Sequence, residues 1–243
     1  MRGQGAERDT DADWRELGAR EPYWGVLTHA DYLSENLTPE RLDAFYASGV
    51  AHVDDLLARF TRIYGATPAG SALDFGCGAG RLTEAMAGRT AQATGYDISP
   101  GMLEQASKRG GRALYVDALP DGPFDWINSF IVLQHIPPAR GLSLIEALLA
   151  RLAPGGFLSL HLTIWRDARL EPARGWRSLA RPVVRSLRPA PPVGVISMYD
   201  YDLSAVMRRL TAAGVGETTL VPTNHDGHHG VIILGRRQGA AAP

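Results

Sequence analysis

Between Leu73 and Leu82 the chain reads LDFGCGAGRL: an apolar run, an acid at Asp74, and glycines at the alternate positions Gly76, Gly78 and Gly80. Glycines spaced this way let backbone approach a ligand closely and aim the N–H groups of a helix start at it. Such a turn is also how a tight strand-to-helix connection can be made, so its companions matter. Asp97 closes the run Gly95-Tyr96-Asp97-Ile98-Ser99. A carboxylate at that strand end can accept both ribose hydroxyls of a nucleoside lying across the first turn. A dinucleotide site would read Gly-x-Gly-x-x-Gly and set a pyrophosphate on the helix end. Here the third glycine comes one residue early, and Asp74 would repel a diphosphate. A nucleoside with a cationic centre and an amino acid moiety suits these residues better.

The elements that position this turn follow from periodicity. Beyond Gly70, apolar runs at 72–75, 91–96, 113–116, 124–130 and 157–164 alternate with helical stretches at 81–88, 101–109 and 139–152. That alternation is the mark of βαβ units and a mostly parallel sheet. Pro154-Gly155-Gly156 reads as a helix stop, and a further helix is expected over 202–213. Two strands, 217–222 and 230–234, flank Asp226-Gly227, a hairpin signal. Upstream, Val53, Leu56, Leu57, Phe60 and Ile63 fall at helical spacing, which predicts an amphipathic helix over 48–64 packed on the main domain. Residues 1–12 are polar and lack any apolar period, so a mobile tail is expected there.

Composition narrows the class. A chain of 243 residues, 45% hydrophobic, can bury one sizeable core but is short for two catalytic domains. The lone Cys77 excludes an intramolecular disulfide and a cysteine zinc cluster. With 25 basic against 26 acidic residues, no global field draws the chain to nucleic acid. MRGQGAERDTDADW lacks the apolar core of a signal peptide, and no apolar run approaches the ~20 residues of a membrane span. The expectation is a soluble, cytoplasmic, bacterial protein.

These residues resemble the class I S-adenosylmethionine-dependent methyltransferases, whose first motif reads hydrophobic-Asp-x-Gly-x-Gly-x-Gly. The resemblance runs in order through residues 71–165 and more loosely to the final hairpin. It implies an α/β, Rossmann-like, seven-stranded, mostly parallel sheet with an antiparallel final strand, helices on both faces and an N-terminal helical lid. The lid and tail would occupy 1–64, and the core 65–243. The resemblance implies S-adenosylmethionine as cofactor and S-adenosylhomocysteine as product. Asp97 matches the ribose-binding acid, Asp117 the acid that contacts the adenine amino group, and Ala118 a lining of the adenine pocket. Ile98 and Met102 match the apolar residues on the adenine ring. Backbone at Ser129 and Phe130 would approach the methionine portion.

Methyl transfer asks a protein mainly for alignment, desolvation and, where needed, removal of a proton. Three histidine-bearing places fall at the sheet edge where ligands sit: His135 after the fourth strand, His161 late in the fifth, and His225, His228 and His229 in the final hairpin. His135 or the pair His225/His228 is expected to orient or deprotonate the acceptor, against a structural imidazole or a solvated turn. No metal site is expected. Tyr23, Trp24 and Tyr32, with Tyr199, would form a lid or contact substrate, or else pack as core. An Arg/Pro-rich cap insert is expected over 166–198. Its seven arginines against Asp167 and Glu171 suit an acidic acceptor, such as a carboxylate or sugar phosphate, or a solvated loop. The function expected is methyl transfer to oxygen, nitrogen or carbon of a small molecule. The alternatives are a non-methylating cyclisation or rearrangement in the same fold, and a noncatalytic binding module.

Overall fold

A computed structural model describes residues 9–170 and 196–239. The elements run α1 (Thr10–Arg20), α2 (Pro22–Val26), α3 (Pro39–Tyr64), β1 (Ser71–Phe75), α4 (Arg81–Ala87), β2 (Gln92–Tyr96), α5 (Pro100–Lys108), β3 (Leu114–Val116), β4 (Phe124–Ser129), α6 (Pro138–Ala150), β5 (Leu152–Arg166), α7 (Leu203–Ala212), β6 (Val215–His225) and β7 (His228–Arg237). One seven-stranded sheet has the order β3-β2-β1-β4-β5-β7-β6. The first five strands are parallel, while β7 lies antiparallel to both β5 and β6. The strand order reverses beside β1, so the carboxyl ends of β1 and β4 flank a crevice where a ligand can enter.

Side chains alternate across each strand, and the sheet therefore builds two cores. Leu73, Ile127, Leu158 and Leu160 face Ile145 and Leu148 of α6 and Val206 and Leu210 of α7. Ala72, Trp126 and Phe157 face Val53, Leu56 and Phe60 of α3 and Leu82 and Met86 of α4. Helices thus cover both faces, and α3 is part of the core.

Two boundaries differ from the apolar pattern, each for a local reason. Helix α3 starts nine residues before the expected 48, because Thr38 caps it, accepting the Arg41 N–H at 3.4 Å, and Pro39 supplies a preset first turn. The final strands run past 217–222 and 230–234 because β5 is itself fifteen residues long and carries β7 with it. The polar stretch from Thr223 to His229 hid that pairing. Asp226 and Gly227 make the expected turn, with φ of +50° and +90°.

Helices α1 and α2 lie over the start of α5. A Cβ on Gly101 would stand 2.4 Å from the Gly18 carbonyl oxygen, so the two backbones approach without intervening side chains. Of the mobile tail expected over 1–12, residues 1–8 lie outside the described residues, as does most of the cap insert, 171–195; Thr10–Ala12 instead open α1, because the Asp9 carboxylate caps the N–H groups of Asp11 and Ala12 and Thr10 is buried.

Candidate active site

The glycine turn and the end of β2 are tied together by backbone. Gly76 and Cys77 both donate N–H bonds to the Tyr96 carbonyl, at 2.8 and 3.0 Å. Asp97 completes the tie: its two carboxylate oxygens accept the N–H groups of Gly78 and Ser99, each at 2.9 Å. Burial pushes the Asp97 carboxyl up, and those two N–H bonds pull it back down. Gly78 sits at φ +53°, and a Cβ there would meet Val26 of α2 at 2.6 Å. The turn therefore needs glycine both for its conformation and for the lid that rests on it.

Asp74, behind the turn, is 2% exposed. It accepts from Thr83 Oγ1 at 2.7 Å and from Asn128 Nδ2 at 2.8 Å. Asn128 in turn accepts from Ser159 Oγ at 2.7 Å, and Ser159 accepts from Trp126 Nε1 at 2.9 Å. This chain of hydrogen bonds crosses β1, β4 and β5 and fixes one carboxylate at the cavity wall. Burial still raises the Asp74 pKa.

The carboxyl ends of β1, β2 and β4 open into a cleft of about 990 Å³, its open mouth included. Asp74, Gly76 and Gly78 form its base, Asp97, Ile98 and Met102 one side, and Phe130, Val132 and His135 the other. Between Phe130 and Val132, Ile131 adopts φ +59°, a conformation that costs a β-branched residue of order 1–3 kcal/mol and is found where a site demands it. Helices α1 and α2 supply Thr10, Asp11, Trp14, Gly25 and Val26. Asp11 and Arg140 bridge α1 to α6 through two hydrogen bonds of 2.7 Å.

Several expected site residues stand elsewhere. Gly80 turns the chain at φ +79° but does not line the cleft. Asp117 and Ala118 are exposed beyond the three-residue β3, outside the cleft. Ser129 is buried just behind the wall, with its hydroxyl unpartnered. Tyr23 and Tyr32 pack edge-on to Phe45, at 5.2 and 5.5 Å between ring centroids, and Trp24 is half-buried; none of the three lines the cleft. Trp14 takes the lid position instead, its ring 4.9 Å from that of His135. Tyr199 anchors backbone: its N–H bonds the Gln134 carbonyl at 2.7 Å, and its own carbonyl accepts from Thr163 Oγ1 at 2.6 Å.

His135 is buried on the wall. Its Nδ1 lies 2.8 Å from the Ser197 carbonyl, which can only accept, so Nδ1 carries the proton. Its Nε2 faces the Gln134 amide nitrogen at 3.3 Å. Burial lowers the His135 pKa to about 4. His225 and His228 lie at the hairpin, with His225 5.0 Å from His161 and 6.1 Å from Phe130, ring to ring.

The sequence reading missed Arg81. It is 6% exposed, it lines the cleft, and its Nη1 donates to Ser48 Oγ at 3.2 Å while its Nε has no partner. The only signal was position: it opens α4 directly after the glycine turn. Of the expected arginine clamp, the described Arg166 and Arg169 are already ion-paired, Arg166 with Asp200 at 2.7 Å and Arg169 with Asp167 at 3.2 Å.

Residues 72–156, from β1 to the start of β5, match the family model described as a methyltransferase domain. Over these residues the chain carries a methyltransferase domain. The domain is 36% identical over 151 residues to a trans-aconitate 2-methyltransferase of Streptomyces coelicolor, covering 54% of this chain and 48% of that protein. It is also 36% identical over 106 residues to a ubiquinone biosynthesis O-methyltransferase of Xanthomonas campestris, covering 39% and 44%. The chain thus spans about half the length of the curated relatives it matches. The fold of the methyltransferase domain resembles magnesium protoporphyrin IX methyltransferase from Synechocystis, solved with S-adenosylhomocysteine, at a TM-score of 0.63 and 18% identity over 95% of this chain and all of that one. Among the described residues no helix is long and apolar enough to cross a membrane, and no three or more His, Cys, Asp or Glu side chains are placed to hold a metal ion.

Proposed function

We propose that this chain transfers the methyl group of S-adenosylmethionine to oxygen, nitrogen or carbon of a small-molecule acceptor. The observation that carries the reading is Asp97, half-buried on the cleft wall and held on the glycine turn by the Gly78 and Ser99 N–H groups. Its remaining lone pairs suit two vicinal hydroxyls. Ile98 and Met102 offer an apolar face for the adenine beside it. The Nε of the buried Arg81 has no hydrogen-bond partner, and its guanidinium fits the carboxylate of the methionine portion. Asp74 offers the matching negative charge for the amino group. When bound, S-adenosylmethionine supplies an electrophilic methyl on a sulfonium.

The protein's part is then placement and exclusion of water. Trp14, packed on His135, closes the cleft over its interior, and the Asp11–Arg140 bridge holds that lid down. With one nitrogen donating to Ser197 and the other facing Gln134, His135 positions the wall and leaves proton acceptance to another group. The hairpin imidazole of His225, outside the cleft lining, has an unpartnered Nε2 and is the remaining candidate for that part.

Incubation with methyl-labelled S-adenosylmethionine and a panel of hydroxy, amino and carboxylic acids tests the reading. Label in an acceptor supports it. Binding of the cofactor with conversion of a substrate and no label transferred would move the chain to the non-methylating class.

A further inference from the structure

Among the described residues, three carboxylates line the cleft: Asp74, Asp97 and Asp11. The first two are taken up by the amino group and the sugar of the proposed cofactor. Asp11 has so far only held α1 in place, and it faces the cleft with a partner. Arg140 also lines the cleft, and it sets Nη1 on Asp11 Oδ1 and Nη2 on Asp11 Oδ2, both at 2.7 Å.

This pair and Arg81 approach the cleft from opposite faces of the sheet. Arg81 opens α4, which packs with α3 on one face, whereas Arg140 lies in the first turn of α6, which covers the other. The pair stands beside the tip of β2. There the Tyr96 phenol, its pKa raised chiefly by burial, also feels Asp97 and Asp11 as negative neighbours and Arg140 as a positive one. Helix α1, which carries Asp11, sits so close on the start of α5 that a Cβ on Gly18 would stand 2.1 Å from Ser99 Oγ. A nucleoside with its sugar at Asp97 and its amino acid end at Arg81 must turn its base away from Arg81, toward Ile98 and this pair. Asp117, the acid expected to meet the base, is exposed beyond β3 and outside the cleft.

A bidentate arginine–carboxylate pair keeps hydrogen-bonding capacity to spare. Two of the five guanidinium N–H groups are used, and each carboxylate oxygen retains a lone pair. At the side of the fork a donor therefore stands next to an acceptor. The pairing edge of adenine is the complement, an amino donor beside a ring-nitrogen acceptor, and such edges are what proteins read when they hold a single base. Hypoxanthine reverses the order, with a carbonyl acceptor beside a ring N–H donor. The Asp11 side chain is 24% exposed, so water competes with it only in part.

We propose that the Asp11–Arg140 pair reads the pairing edge of the cofactor's base and selects adenine, which makes Asp11 of α1 a specificity-determining residue of the cofactor site. The assignment rests on the S-adenosylmethionine reading above.

The test is calorimetric titration of the whole chain with S-adenosylhomocysteine and, separately, with S-inosylhomocysteine, its hypoxanthine counterpart. The variants are Asp11→Ala, Asp117→Asn, and the exchange Asp11→Arg with Arg140→Asp. The wild type should bind S-adenosylhomocysteine at least about tenfold more tightly, because the other base sets acceptor against acceptor and donor against donor. Asp11→Ala should narrow that ratio to about threefold or less, by weakening S-adenosylhomocysteine more than S-inosylhomocysteine. An Asp11 that only holds the lid would weaken both ligands alike and leave the ratio as it was. The exchange keeps α1 bridged to α6 but sets a donor where the acceptor stood, so it should lose the preference as well. Asp117→Asn should retain it. A wild type that binds both ligands equally, a wild-type ratio in Asp11→Ala or in the exchange, or loss of the ratio in Asp117→Asn overturns this assignment alone. A wild type that fails to bind S-adenosylhomocysteine overturns the cofactor reading, and the assignment falls with it.

Discussion

The carboxylate of Asp97 accepts the N–H of Gly78 at 2.9 Å, so the tip of β2 is fastened to the turn that follows β1. This single contact joins the two halves of the proposed nucleoside site. Asp97→Ala removes both the fastening and the two charge-assisted bonds to ribose proposed above, each contributing about 1.5–3 kcal/mol. The expected result is S-adenosylhomocysteine affinity lowered about 100-fold or more, with Asp97→Asn intermediate. A loss under threefold in Asp97→Ala would show that the acid serves only the turn.

The buried chain Trp126–Ser159–Asn128–Asp74 predicts a stability effect distinct from binding. Asn128→Ala leaves one Asp74 oxygen and the Ser159 hydroxyl without their partners at a site 1% exposed. A cost of about 2–4 kcal/mol is expected, from two buried groups left bare plus lost packing. Urea unfolding of this variant beside Asn128→Asp separates the terms. The second variant sets two carboxylates against each other and should unfold more easily still.

The bridge from Asp11 to Arg140 is partly exposed, at 24% and 45% for the two side chains, so its worth to global stability is about 0–1 kcal/mol. Its effect belongs to the lid. Asp11→Asn should shift Tm by no more than a few degrees yet speed release of S-adenosylhomocysteine several-fold in a stopped-flow displacement experiment. The paired exchange Asp11→Arg with Arg140→Asp should restore slow release. Equal release rates in wild type and Asp11→Asn would mean that α1 stays in place without the bridge.

Buried imidazoles make stability depend on pH with a defined sign. His52, His135 and His161 have folded pKa values of about 4, 4 and 3, below the ordinary value of 6.5, each chiefly because burial disfavours the charged form. Their folded pKa values are depressed, so the unfolded chain binds protons first as pH falls. Their contribution is complete above pH 6.5 and is lost between that value and about 3 to 4. Each contributes about 1.4 kcal/mol per pH unit within the window. Asp74 and Asp97, raised by burial, act in the opposite sense as they take up protons. The expected outcome is a urea midpoint that drops steeply from pH 7 to pH 5, with a shallower slope in His135→Gln. A flat profile across that range would contradict neutral buried imidazoles.

Much of this architecture was legible in the sequence, for physical reasons that differ by region. Glycines at alternate positions after an apolar run can make few structures, and Asp97 at the end of the next run identified the partner. The strands 72–75 and 124–130 were continuous apolar stretches because both faces of a parallel sheet are covered. What periodicity could not show was which side chains meet across it. Trp14, and not Tyr23 or Tyr32, lines the cleft, because Tyr23 and Tyr32 pack edge-on against Phe45. Arg81 stayed hidden because a buried arginine reads like a solvated one until its surroundings are known. The histidines around Phe130 come from positions 52, 161 and 225, brought together only by the packing of α3 and the β6–β7 hairpin on the sheet.

The central claim is that the cleft over Gly76 and Gly78 holds an adenosine attached to a methionine. Titrating the purified chain with S-adenosylhomocysteine and, separately, with a nicotinamide dinucleotide tests it most directly. The account predicts saturable one-to-one binding of the first, abolished or strongly weakened by Asp97→Ala, and none of the second. Binding of the dinucleotide with no response to S-adenosylhomocysteine would contradict it.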